Sequence, residues 1–153
     1  MNNNIPKKAL CIRNTSTWAH IKSEYKFDSD KFNIGSVLKD LPLMSPKINS
    51  MLNKIKELDE KDMETEGKYY KHIIYSDVDG TNGAKMIASA MIANNYKPIY
   101  NKGVIKTKYS AEDNYNTFGL LTKSIVNKKP LTVGLKKNMM TIMNNRESGA
   151  KDN

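Results

Sequence analysis

Tyr70-Lys71-His72-Ile73-Ile74-Tyr75-Ser76-Asp77-Val78-Asp79-Gly80-Thr81-Asn82-Gly83-Ala84-Lys85-Met86-Ile87-Ala88-Ser89-Ala90-Met91-Ile92-Ala93 reads as three elements in succession. Ile73-Ile74-Tyr75 is a continuous apolar run, not an alternating one, so a central parallel strand covered on both faces is predicted over residues 71–76. A polar turn bearing Gly80 and Gly83 follows. Ala84 to Ala93 predicts a helix that stops at Asn94-Asn95 and whose alanines allow close approach to a sheet. In open α/β sheets, ligands and phosphates gather beyond the carboxyl ends of strands, where the next helix presents its first N–H groups. The turn between Ser76 and Lys85 is therefore the first place to look for a function.

Upstream, Ser45-Pro46 predicts a helix start, with serine as the N-cap and proline in the first turn, where its missing N–H costs nothing. Ile48, Met51, Leu52, Ile55 and Leu58 continue as one apolar stripe suited to packing on a sheet. Asp59 to Gly67 is acidic and nearly devoid of apolar residues, the pattern of a solvated helix end and loop. Residues 1–44 show weak periodicity and read as an irregular N-terminal arm or linker. Within them Ala9-Leu10-Cys11-Ile12 suits a short strand, Phe27 to Gly35 suits a polar loop, and Trp18 and Tyr25 are expected to pin the arm onto a neighbouring surface.

Downstream, Pro98-Ile99-Tyr100 suits another strand, by analogy with a βαβ unit. Residues 101–116 form a polar, basic segment with Lys102, Lys106 and Lys108. Phe118-Gly119-Leu120-Leu121-Thr122 suits a strand, and Thr132 suits the cap of a last helix with Leu135, Met139, Ile142 and Met143 on its apolar face. Residues 148–153 are a polar tail. The expected fold is α/β, with a small, mostly parallel sheet and helices on both faces.

The chain has 153 residues, enough for one domain with a real core. Its net charge is +9, unevenly placed: 13 Lys/Arg stand against 10 Asp/Glu up to Ser76, and 12 against 6 beyond it. That excess favours a polyanionic partner such as nucleic acid, although an A/T-rich coding sequence would also enrich lysine and asparagine. Arg13 and Arg146 are the only arginines. Lysine neutralises phosphate as a point charge and reads bases poorly, so any contact is expected to be with the nucleic-acid backbone.

A single cysteine, Cys11, excludes an internal disulfide and a cysteine-based zinc site, and suits a reducing compartment. No window approaches 18 consecutive apolar residues, and Met1-Asn2-Asn3-Asn4 lacks the apolar stretch of a signal peptide, so a soluble intracellular location is expected. His20 and His72 stand apart without clustered ligands, and the nine methionines fall on helix faces as adaptable core filler. Tyrosines interleaved with lysines through the second half suit packing first and base stacking second.

Two resemblances meet at the Ser76–Lys85 turn. Asp77-Val78-Asp79-Gly80-Thr81 resembles the nucleophile loop of haloacid dehalogenase-like phosphatases. The resemblance implies that Asp77 attacks phosphorus, Asp79 acts as acid and base, and a magnesium ion bridges carboxylate and phosphate. The later acidic motif of that family has no counterpart, because Glu112-Asp113 sits among tyrosine and asparagine and not after an apolar strand.

The second likeness covers residues 45–147. Ser45-Pro46-Lys47 with its helix, Lys71-His72-Ile73-Ile74-Tyr75-Ser76, and Gly83-Ala84-Lys85-Met86-Ile87-Ala88-Ser89-Ala90 together resemble the second RecA-like domain of superfamily 2 helicases of nucleocytoplasmic large DNA viruses, the poxvirus-type transcription-factor and nucleoside-triphosphatase helicases. The resemblance implies that Ser76, Thr81, Asn82, Gly83 and Lys85 face the backbone of a single RNA or DNA strand, with Asp77 and Asp79 serving as helix caps. It also implies a viral protein of the host cytoplasm, viral factory or virion, partnered by the remaining helicase half or a transcription complex.

A helicase also needs a Gly-x-x-x-x-Gly-Lys-Ser/Thr loop for triphosphate and an Asp-Glu pair for magnesium, and neither occurs here. The expectation is a fragment or degenerate part of such a motor that does not hydrolyse ATP alone. A third expectation is a non-catalytic scaffold or interaction protein that keeps the shape without the task.

Overall fold

The computed structural model describes residues 17–78, 80–101, 104–105, 116–122, 125–126 and 129–144. The strand expected at 9–12, the lysines at 102, 106 and 108, Asp79 and the tail at 148–153 lie outside the described residues. Among the described residues four helices dominate: α1 (Ile34–Met44), α2 (Pro46–Glu66), α3 (Ala84–Ala93) and α4 (Val133–Asn144). Six two-residue strands accompany them, β1 (Lys97–Pro98), β2 (Tyr100–Asn101), β3 (Val104–Ile105), β4 (Thr117–Phe118), β5 (Ile125–Val126) and β6 (Lys129–Pro130). Among the described residues only β1 and β4 pair in parallel, Lys97 opposite Thr117; β2–β3 and β5–β6 are antiparallel. The chain is thus α/β in kind, but helix-rich, with far less sheet than expected.

The helix starts follow their caps. The Ser45 hydroxyl accepts from the Ile48 N–H at 3.4 Å and donates to the Thr17 carbonyl, so one buried side chain joins the start of α2 to the segment before α1. Ile48, Leu52 and Ile55 of the predicted stripe are buried. The helix runs through the acidic stretch to Glu66 and stops at Gly67, whose φ of 67° is the left-handed geometry that glycine adopts without a Cβ penalty. Thr132 Oγ1 accepts from Leu135 N at 3.2 Å, and Met139 is the buried anchor of α4.

Two expectations are corrected. The described part of the N-terminal arm is not irregular: residues 34–44 are helical, and Trp18, Tyr25, Val37 and Leu41 share one core with Met86, Ala88 and Ala90 of α3. Asn33 caps α1 by accepting from Ser36 N at 2.8 Å, and Val37 and Leu41 supply its inward face at i, i+4 spacing. Trp18 and Tyr25, with ring centroids 5.1 Å apart, do pin the segment down, and what they pin it to is the domain's own core.

The second correction concerns residues 71–76, which join no sheet among the described residues. Burial there alternates, with Ile74, Ser76 and Val78 turned partly inward. Ile73 is 95% exposed and Tyr75 is 86% exposed. The segment has the period of a strand without a strand's neighbours. Its fastening is His72, whose Nε2 lies 3.0 Å from Asp59 Oδ1 on α2.

Candidate functional site

The turn after Val78 is built by backbone contact. Gly80 has φ +77°, and residues Gly80–Asn82 make one 3-10 turn leading into α3. A Cβ placed on Gly83 would lie 1.7 Å from the Val78 carbonyl oxygen, so only glycine allows the chain to fold back this tightly. Gly83 is also the N-cap of α3 and has no side chain with which to cap it. Asp77, expected as a helix cap, is exposed to solvent.

Ser76 Oγ accepts from Val78 N at 3.3 Å, a local bond that shapes the entry to the turn. Thr81 and Asn82 are half-buried, and Gly83 is buried. Lys85 is placed differently from its expected role. Its Nζ lies 2.5 Å from Asp28 Oδ2, and the two side chains are only 12% and 14% exposed. One turn further along, Ser89 Oγ accepts from Phe27 N at 3.0 Å and donates to Lys85 O at 3.1 Å. The i, i+4 face of α3 carrying Lys85 and Ser89 thus clasps the loop at 27–28, and the lysine charge is spent within the fold. A distant aspartate decides this, and nothing local to Lys85 signals it.

Beside the turn lies a cleft of about 450 Å³, which sequence reasoning missed because it is formed by elements far apart in the chain. Ser76 and Ala84, at the two ends of the turn, reach its lining. Its walls are Ile74 of the extended segment, Ile87 and Met91 of α3, Phe118 and Leu120 at and after β4, and Met139 of α4. Asp59, His72 and Tyr96 give it a small polar corner. Burial there raises the Tyr96 pKa, helped by the Asp59 charge, so its hydroxyl keeps its proton.

Among the described residues, no three or more His, Cys, Asp or Glu side chains group as metal ligands. No described helix is long and apolar enough to cross a membrane. No known protein family, characterised protein or solved structure matches the chain.

Proposed function

We propose that this chain is a helicase-related, nucleic-acid-associated domain of RecA-like descent, in which the turn from Ser76 to Gly83 lies against the phosphate backbone of a single strand. The observation that carries the reading is the close approach of Gly83 to the Val78 carbonyl, which sets Thr81 and Asn82 on a tight turn at the start of α3. Hydroxyl, amide and main-chain groups at a helix start suit phosphate oxygens and carry no sequence information.

Three further facts support it. The sequence likeness over residues 45–147 has its densest match in α3. The one parallel strand pair among the described residues, β1–β4, follows that helix. Most of the positive excess, +6 of +9, lies beyond Ser76. In this reading the chain positions a strand and leaves triphosphate hydrolysis to motifs it lacks.

Lys85 is not a phosphate ligand here, because its ammonium is held by Asp28. The informative variant is Thr81→Asp, which puts a carboxylate on the turn at a half-buried position. It is expected to weaken binding of a single-stranded oligonucleotide, read by fluorescence anisotropy at low salt. Binding unchanged in Thr81→Asp would contradict the placement of the strand at this turn.

A further inference from the structure

We infer that the cleft beside the turn is a binding site for a small, uncharged, apolar molecule carrying one hydrogen-bond-accepting oxygen. Its volume of about 450 Å³ falls within the range of small-molecule sites, roughly 300–1,000 Å³. It lies between the two apolar clusters of the domain: Met91 and Phe118 of its lining belong to one, and Met139 to the other. All three are buried, so the floor of the cleft is core. Leu121 and Met140, each 51% exposed, also line it, so the space opens to solvent. Apolar cavities take up apolar molecules, because the guest makes close contacts that water does not supply.

The polar corner decides the head group. Asp59 and Tyr96 both line the cleft, and the Asp59 charge acts on the Tyr96 hydroxyl, so the two lie together. Among the described residues that hydroxyl has no hydrogen-bond partner. It keeps its proton and can donate it to an oxygen of the guest. Burial and the Asp59 charge both oppose an anion at the Tyr96 oxygen, and the same two effects oppose a carboxylate head. A cationic head is also disfavoured. Asp59 is already engaged, its Oδ1 lying 3.0 Å from His72 Nε2, and Lys71 adds a like charge to the lining. A neutral oxygen is the head that fits.

The walls decide the body. Ile74, Ile87 and Leu120 are aliphatic, and Met91, Met139 and Met143 add flexible thioether chains that adapt to the shape of a guest. An aliphatic chain suits such walls. The proposal does not depend on nucleic-acid binding.

Methionine methyl groups, carbon-labelled in the full chain and followed by magnetic resonance, read the site directly. Titrated with octanol at neutral pH, the Met91 and Met139 signals should move together and saturate. The signal of Met63, 38% exposed on α2 and outside the cleft, should stay in place. Octanoate and octylamine have the same chain length and should bind at least about tenfold more weakly. Tyr96→Phe keeps the ring and removes the donor, and should weaken octanol binding about fivefold. Asp59→Asn should admit octanoate and narrow its gap to octanol. Native-like Trp18 emission confirms that each variant is folded. No saturable shift at Met91 and Met139, octanoate or octylamine binding as tightly as octanol, or octanol binding unchanged in Tyr96→Phe would each overturn the proposal.

Discussion

The Lys85 ammonium lies 2.5 Å from the Asp28 carboxylate, joining α3 to a loop 57 residues earlier in the chain. Removing one member of a well-covered pair leaves the other charge without compensation, at a cost of about 3 kcal/mol. Lys85→Met and Asp28→Asn should each lower stability by roughly that amount, somewhat less if water reaches the orphaned group. The double variant should recover part of the loss, because neither charge is then stranded. Urea midpoints followed by Trp18 fluorescence measure this. Additive losses would show that the two groups are not coupled.

Gly83→Ala should be among the most damaging small substitutions in the chain. The new methyl would sit 1.7 Å from the Val78 carbonyl oxygen, a backbone atom that cannot rotate away. Overpacking of this kind costs about 2–3 kcal/mol and shifts the backbone. Gly67→Ala is the contrast: its Cβ meets nothing within 4 Å, and only the left-handed φ penalises it, by about 1 kcal/mol. Paired denaturation curves should rank the two in that order.

Tyr25 gives a pH signature. Its hydroxyl donates to Asp40 Oδ2 at 2.6 Å; with burial and the Asp40 and Glu24 charges adding to that bond, its pKa is pushed up from 10.0 to about 12. Below pH 10 the tyrosine is protonated in both the folded and unfolded chains, and its contribution to stability is fully present. Between pH 10 and about 12 the unfolded chain loses the proton first, so stability falls as pH rises. Phenolate absorbance should therefore include one late-titrating tyrosine, and Asp40→Asn should move it to lower pH. An unaltered titration in Asp40→Asn would refute the assignment.

Much of the helical frame could be read from local chemistry. Ser45-Pro46, the Ile48–Ile55 stripe, the alanine-rich helix ending at Asn94 and the Thr132 cap all act within a turn of the residues that signal them. Helix α1 was hidden by Gly35 and Pro42, which weaken its pattern: glycine costs backbone entropy, and Pro42 inside the helix removes one backbone donor. Residues 71–76 misled in the other direction. Ile73 and Tyr75 favour extended backbone, but residue preference does not supply a neighbouring strand, and both are exposed. At the candidate site the glycines were legible as a turn, whereas the fate of Lys85 depended on Asp28 and the cleft on contacts between distant segments.

Asp77 is an exposed carboxylate one residue beyond Ser76, next to the proposed phosphate path. Its charge should oppose a polyanion, by up to about 1 kcal/mol at low salt. Asp77→Asn should therefore bind a single-stranded oligonucleotide severalfold more tightly, and the advantage should shrink as salt is added. Loss of binding in Asp77→Asn would instead indicate that the carboxylate takes part in the contact.

The most direct measurement is the salt dependence of that binding, with the wild-type chain titrated into a labelled single-stranded oligonucleotide at several salt concentrations. Lysine–phosphate contacts release counterions, so the logarithm of affinity should fall linearly with the logarithm of salt, by about 0.7 for each phosphate neutralised. A steep negative slope is the predicted result. A folded chain that binds no oligonucleotide at low salt, or binds it with an affinity indifferent to salt, would contradict a nucleic-acid role.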